Sequence, residues 1–262
     1  MFTGLCYSRS AWEVWADVIT VMACSMANAV DKEPKRYENR EAEYARCIER
    51  LGGVEEPAQL FAITVEALEK NPDQDFLGEL YMNLELGNHW KGQFFTPYCV
   101  SRCMAEISLG DFQTQVDKQG WISICDPCVG GGAMLIAAAN TIRRQKVSYS
   151  HHVMFVGQDI DRIVGMMAYI QLSLLGCPGY MVIGNSLTNP VTGNPLQPME
   201  KEGQEFWYTP LYFSEVWHYR RFFAMLDRLI GSQPNLPPIT RPRGGFLFEF
   251  EDEEEEGEKL VV

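Results

Sequence analysis

Positive charge is what this sequence has least of. Twenty-two lysines and arginines face 35 aspartates and glutamates, a formal net charge of −13 over 262 residues. Neutralising phosphates needs a basic surface, so this balance argues against unaided DNA binding. Part of the imbalance sits near the end, where "EFEDEEEEGEK" holds eight acids and one lysine, a composition that stays solvated. Long apolar runs are also missing. None reaches the roughly 18 uncharged residues of a membrane span, and the best, "AWEVWADVITVMACSMANAV", is interrupted by Glu13 and Asp17. Both acids fall on one face of a helix, so the stretch reads as an amphipathic core helix. The opening "MFTGLCYSRS" lacks a basic stretch followed by an apolar one, so no secretory leader is expected. The expectation is a cytoplasmic protein without membrane contact.

Histidine is scarce, four in all, and the eight cysteines are scattered through apolar and helical contexts, as reduced, buried thiols would be. Two pairs, Cys99 with Cys103 and Cys125 with Cys128, are poorly spaced for a four-thiolate zinc site, and no metal is expected. A hydrophobic content of 46% is enough to bury one sizeable core.

Three stretches follow along the chain. Residues 1–90 read as a helical region, with "EAEYARCIERLGG" ending in glycines suited to a cap and "EPAQLFAITVEALEKNP" bounded by prolines. Residues 91–231 read as an α/β domain. Its strands are "WISICDP", "HVMFVGQDID" and "YMVIGNSL", and between them lie the helices "AMLIAAANTIRR" and "RIVGMMAYIQLSLLG". Strand–helix alternation with short connections predicts a doubly wound, Rossmann-like parallel sheet covered on both faces. A short apolar run, "FWYTPLYF", and a last helix, "SEVWHYRRFFAMLDRLIG", come next. Residues 232–262 are proline-rich and then acidic, and are expected to be unstructured.

In an open parallel sheet the ligand sits beyond the carboxyl ends of the strands. The loop there is "DPCVGGGAML". No Gly-Lys-Ser/Thr follows its glycines, which argues against a phosphate-cradling loop. The glycines are consecutive, so the dinucleotide pattern G-x-G-x-x-G is not met. Asp126 stands just before them, where a carboxylate repels a pyrophosphate but meets a cation or a hydroxyl. Asp159 and Asn185 occupy the tips of the next two strands. A ligand with a positive amino group, a ribose and an adenine fits this order of groups, and S-adenosylmethionine is the candidate cofactor. Blander readings stay open: Phe94 and Phe95 as core aromatics, Asp126 as a helix cap, and Cys125–Cys128 as a redox pair, although a redox pair leaves the glycines and strand-tip acids unexplained.

Taken together, "KGQFFTP", "DPCVGGGAML", "GQDID" and "GNSL" resemble the adenine-N6 DNA methyltransferases, in particular the modification subunit of type I restriction–modification systems. The segment "DFLGELYMNLEL" is similar to the helix preceding the first of these motifs. The resemblance implies that Phe94, Phe95, Thr96 and Pro97 pack around the cofactor. It implies that Asp126, Pro127, Gly130 and Gly132 shape its amino-acid end, and that Asp159 with Ile160 meets the ribose. Asn185 stands where the family usually has aspartate. The family's catalytic Asn/Asp-Pro-Pro-Tyr/Phe, which polarises the adenine amine and stacks on the flipped base, occurs nowhere in the sequence. The Asn-Pro pairs at Asn189 and Asn194 follow the third strand too closely to lie on a fourth. Thr209-Pro210-Leu211-Tyr212 keeps a proline and the aromatic, so Thr209, Pro210 and Tyr212 are the expected remnant. The resemblance also implies DNA read through a partner specificity subunit. A basic cluster at Arg220, Arg221, Arg241 and Arg243, beside Trp217, His218 and Tyr219, reads equally as a DNA contact or as an ordinary helix face and tail. A non-catalytic methyltransferase-like scaffold or decoy is the alternative, and a methyltransferase of small molecules or proteins would share the same cofactor half.

Overall fold

In this computed structural model, residues 9–84 and 95–230 are described. Helix α1, Ala11–Val30, starts at Ser10 with a reciprocal cap: the Ser10 hydroxyl accepts from the Glu13 N–H, and the Glu13 carboxylate accepts from the Ser10 N–H. By length and mean hydropathy (1.2) α1 could cross a membrane, but 67% of its most apolar window is buried inside the protein. The two acids expected to share a solvent face do not. Glu13 serves the cap, while Asp17 is 5% exposed and paired with Arg9 and Arg50. A buried carboxylate persists only with such partners.

Helix α2, Pro34–Leu51, is closed by Gly52 at φ +81°, the left-handed cap that its glycines foretold. Helices α3, Glu55–Lys70, and α4, Phe76–Asn83, complete the helical stretch. Then come α5, Tyr98–Leu109, and α6, Phe112–Gln119. This stretch has no core of its own. Val14 and Ile19 of α1 share one apolar cluster with the helices and strands that follow.

The sheet begins with β1, Ile122–Asp126, then α7, Ala133–Arg144, and the single turn α8, Tyr149–His152. Strand β2 is Val153–Asp159, α9 is Arg162–Leu174 and β3 is Gly179–Ile183. A hairpin of β4, Thr192–Asn194, and β5, Gln197–Met199, precedes β6, Glu205–Tyr208. A 3₁₀ turn, Pro210–Phe213, leads into α10, Glu215–Ile230. Strands β1, β2 and β3 are parallel neighbours, but β6 joins β3 antiparallel, so the sheet is mixed rather than parallel throughout.

Side-chain alternation divides the core in two. Ile124, Phe155, Met181 and Trp207 face α1, α7 and α9. Met154, Val156, Tyr180 and Phe206 face the other way, onto Val191, Leu196, Tyr212 and Trp217. Both crossover helices therefore cover one face, and the second is covered by the hairpin, the 3₁₀ turn and α10. Strand β2 is buried on both sides, which explains its unbroken apolar run. The strand order is β1-β2-β3-β6. Among the described residues, nothing pairs with the outer edge of β1.

Candidate functional site

The loop after β1 is held from three sides. Asp126 ends the strand and its Oδ1 accepts from the Cys128 N–H at 3.0 Å, closing a turn through Pro127. The Val129 N–H donates to the Gln158 carbonyl at 3.0 Å. The Gly130 N–H donates to Asp159 Oδ2 at 2.9 Å, while Asp159 Oδ1 accepts from the Asp161 N–H at 2.9 Å. Asp161 then caps α9. The first two strand-tip motifs thus meet through one carboxylate.

Each loop glycine answers to a different constraint. Gly130 has φ +56° and a Cβ there would stand 3.7 Å from the Phe95 ring. A Cβ on Gly131 would lie 3.3 Å from Asp75 Oδ1. Gly132, the first cap of α7, has φ +101° and a Cβ there would lie 3.3 Å from the Ala168 Cα. Gly157 on β2 is also confined, because a Cβ would stand 2.5 Å from Met181 Sδ. Side chains of Asp75 and Met181 and the backbone of α9 therefore crowd Gly131, Gly157 and Gly132, where a Cβ would have to displace them, while Phe95 lies within ordinary contact range of Gly130.

Phe95 is brought to the rim of the loop. It stacks on Tyr81 of α4 with centroids 5.3 Å apart, and Tyr81 leans on Trp15. Thr96 and Pro97 are exposed, and the Pro97 carbonyl starts α5. Phe94, and Lys91 of the same motif, lie outside the described residues. Ile160 is 68% exposed beside Asp159. Asn185 closes its own turn, its Oδ1 accepting from the N–H groups of Leu187 and Thr188. The tip of β3 still reaches the loop, since Ser186 Oγ lies 4.0 Å from Cys128 Sγ.

The electrostatics of the rim suit a cation. Burial pushes the Asp126 carboxyl above its ordinary range, and the nearby Asp159 charge pushes it further. Burial likewise raises Asp159, against the backbone N–H groups of Asp161, Gly130 and Ile160 that favour its charged form. Two carboxylates that are costly as anions gain from a positive group and from ribose hydroxyls. The residues present therefore fit the polar groups of S-adenosylmethionine.

A family model described as "N-6 DNA Methylase" matches residues 73–220, more than half of the chain. The chain belongs to the N-6 DNA methylase family. Members are DNA methyltransferases, and the family implies S-adenosylmethionine as methyl donor. No match was found among curated proteins or among solved structures. The matched span starts at Asp73, within the helical stretch, and so takes in α4 as well as the sheet.

The expected catalytic remnant is corrected by strand direction. Because β6 runs antiparallel, with Tyr180 opposite Tyr208, Thr209 emerges at the amino ends of the parallel strands. Asp126 and Asp159 lie at the other end. Thr209 is fully buried, donating through Oγ1 to the Cys177 carbonyl at 2.7 Å and accepting from the Gly179 N–H at 2.9 Å. Pro210 begins the 3₁₀ turn. Tyr212 is core, packed on Tyr208 and donating to the Leu196 carbonyl at 3.0 Å. These three residues hold the antiparallel strand in place and do not join the site.

The basic cluster is also engaged locally. Arg220 donates to the His151 and Gly120 carbonyls, and Arg221 to the Tyr212 carbonyl. Arg241 and Arg243 lie outside the described residues. The expectation of buried thiols holds for Cys24, Cys47, Cys125 and Cys177, but Cys99, Cys103 and Cys128 are exposed. Three contributors to the loop were missed in the sequence: Asp75, Tyr81 and Gln171. Gln171 did leave a signal, a lone amide inside the apolar run "MMAYIQLSLL".

A cavity of about 140 Å³ opens beside β1, lined by Met104 and Ala105 of α5, Ile124 and Cys125 of β1, and Leu135 and Ala138 of α7. Ile124 and Cys125 point to opposite faces of the sheet. The cavity also reaches Asp126, at the end of the strand.

Proposed function

We propose that this chain is the cofactor-binding half of a DNA adenine-N6 methyltransferase of the restriction–modification kind, completed by a partner chain. One observation carries the reading: the strand bearing the glycine loop is the end of its own sheet. In a doubly wound sheet that strand is central, and the ligand crevice forms where the strand order reverses beside it. Here one flank is built, β1-β2-β3, and the other is an open edge with a cavity against it. A parallel strand placed along that edge would end level with Asp126 and deliver its next residues to the rim. The tetrapeptide belongs at the tip of such a strand; it occurs nowhere in the sequence, and among the described residues there is no such strand.

When bound, the donor supplies an electrophilic sulfonium methyl group. Asp126 and Asp159 hold its cationic and ribose ends, Gly130 admits its backbone approach, and Phe95 with Ile160 borders it. The groups that hold the adenine amine and the reading of DNA come from the partner, which agrees with the acidic balance of this chain. The test is calorimetric titration of the full chain with S-adenosylhomocysteine, followed by tritium transfer from the donor to mixed duplex DNA. Micromolar binding with no transfer by the isolated chain is expected. Absence of binding at millimolar ligand refutes the cofactor role, and robust transfer by the isolated chain refutes the need for a partner. A second reading, a scaffold or decoy that never methylates, is favoured by the absent tetrapeptide. It is separated from the first by assaying the chain together with the protein that co-purifies from its native host.

A further inference from the structure

Gln171 sits in the second half of α9, fully buried, and both N–H groups and the oxygen of its amide are bonded. One Nε2 hydrogen goes to the Gly131 carbonyl at 2.8 Å and the other to Asp75 Oδ1 at 2.7 Å. Its Oε1 accepts from the Leu77 N–H at 3.0 Å. Asp75 in turn caps α4, accepting from the Gly78 N–H at 3.0 Å. It is 3% exposed, and burial raises its carboxyl above the ordinary range. Turning the amide over would set its oxygen against both the Gly131 carbonyl and the Asp75 carboxyl, so only one orientation is allowed.

We propose that Gln171 is a positioning residue for the glycine loop, locked by Asp75, and that donor binding depends on it. The inference rests on the loop being the donor site. The loop has two clamps, on the peptides either side of the Gly130–Gly131 bond. Asp159, at the tip of β2, fixes the Gly130 N–H, and Gln171, two helical turns and more into α9, fixes the Gly131 carbonyl. The peptide between them, joining Gly130 to Gly131, is thereby oriented although glycines leave its backbone free to rotate. Helix α4 backs both sides of this grip. Asp75 at its start holds Gln171, and Tyr81 further along holds Phe95 against Gly130. Without the clamps, the donor would have to order the loop itself and bind more weakly for it.

The test uses three variants of the full chain and two readouts: S-adenosylhomocysteine affinity by calorimetry, and amide hydrogen exchange over residues 129–132 without ligand. Gln171→Glu keeps the shape but replaces both donors with acceptors. It is expected to lose about ten- to a hundredfold in affinity near pH 8 and to speed loop exchange by a similar factor. Protonation of the new carboxyl returns one donor, so the affinity lost relative to the wild type at the same pH should shrink as the pH falls toward 6. Asp75→Asn combined with Gln171→Glu restores a donor–acceptor pair between the two residues, and so should restore the melting temperature. It still leaves the Gly131 carbonyl facing a carboxylate, so affinity and loop exchange should stay impaired. Asn140→Leu, a comparably buried amide that donates to the Pro72 and Ile136 carbonyls, should lower the melting temperature without touching either readout. Recovery of affinity and exchange in the double variant, or wild-type exchange in Gln171→Glu, overturns the proposal. If the wild type takes up no S-adenosylhomocysteine, the donor-site reading falls, and with it the claim about binding. The exchange rates still decide whether Gln171 sets the loop.

Discussion

Replacing Gly132 with alanine tests the loop geometry most directly. Two costs add. The first is backbone: φ is +101°, a region that a residue with a Cβ leaves unless forced, at about 1–3 kcal/mol. The second is contact. The new methyl would stand 3.3 Å from both Cα and Cβ of Ala168. A helix backbone atom cannot swing aside as a side-chain tip can, so α7 must shift away from α9, an overpacking cost of about 1–3 kcal/mol. Gly52→Ala is the control, because its φ is +81° and a Cβ there meets nothing within 4 Å. It carries the first cost alone. At roughly 2–4 °C per kcal/mol for a chain of this size, Gly132→Ala should melt about 4–24 °C below the wild type, and about 2–12 °C below the control. Urea denaturation followed by circular dichroism gives the same difference as free energy. Equal losses in the two variants would mean that α7 and α9 do not meet at this glycine, and the account of why the loop needs a glycine there would be wrong.

Asp159→Ala should weaken S-adenosylhomocysteine binding by about 1.5–3 kcal/mol in calorimetry, through loss of charge-assisted hydrogen bonds, and an unchanged affinity counts against the ribose role. The raised carboxyl of Asp126 makes a pH prediction. A group whose pKa is higher in the fold favours the folded state when protonated, and that contribution is lost as pH rises through the folded value. Asp126→Asn should therefore gain stability relative to the wild type on going from about pH 4.5 to about pH 8, measured by urea titration, and a gain in the opposite direction contradicts the burial assignment. Thr209→Val removes the bonds to the Cys177 carbonyl and the Gly179 N–H, so it should cost about 1–3 kcal/mol of stability and leave donor affinity unchanged. A loss of affinity without a loss of stability would return Thr209 to the site.

Much of this arrangement is written in local pattern. Asp126, Gly130, Gly132 and Asp159 stand where strand ends and helix starts put them, because the period of the apolar residues and the glycines fix those ends locally. Strand direction is not local. "FWYTP" has the same pattern whether it runs with β3 or against it, and only packing of Tyr208 and Tyr212 on Tyr180 decides. For that reason the sequence pattern alone puts Thr209 at the end of the sheet opposite to the one it occupies. Asp17 misled for a related reason: its spacing from Glu13 suggests a wet face, and its partners Arg9 and Arg50 come from other segments. Asp75 and Gln171 are 96 residues apart, and no short-range signal links them. The length of a strand says nothing of its neighbours, so the open edge of β1 was also invisible.

That edge has a consequence for how much of this protein a cell can keep. Met104 of α5 lines the cavity against β1 and is 39% exposed, and Val100 and Ile107 on the same helical stripe are 44% and 78% exposed, while among the described residues the outer edge of β1 is unpaired. Such a combination invites sheet edges of different molecules to join. Solubility then falls as the chain accumulates, and chaperones and proteases see in the lone chain the same features that mark an incompletely folded one. If the partner chain proposed above covers that edge, the steady-state level of this chain should follow the partner's: in excess it is cleared or aggregates, and together with the partner it persists.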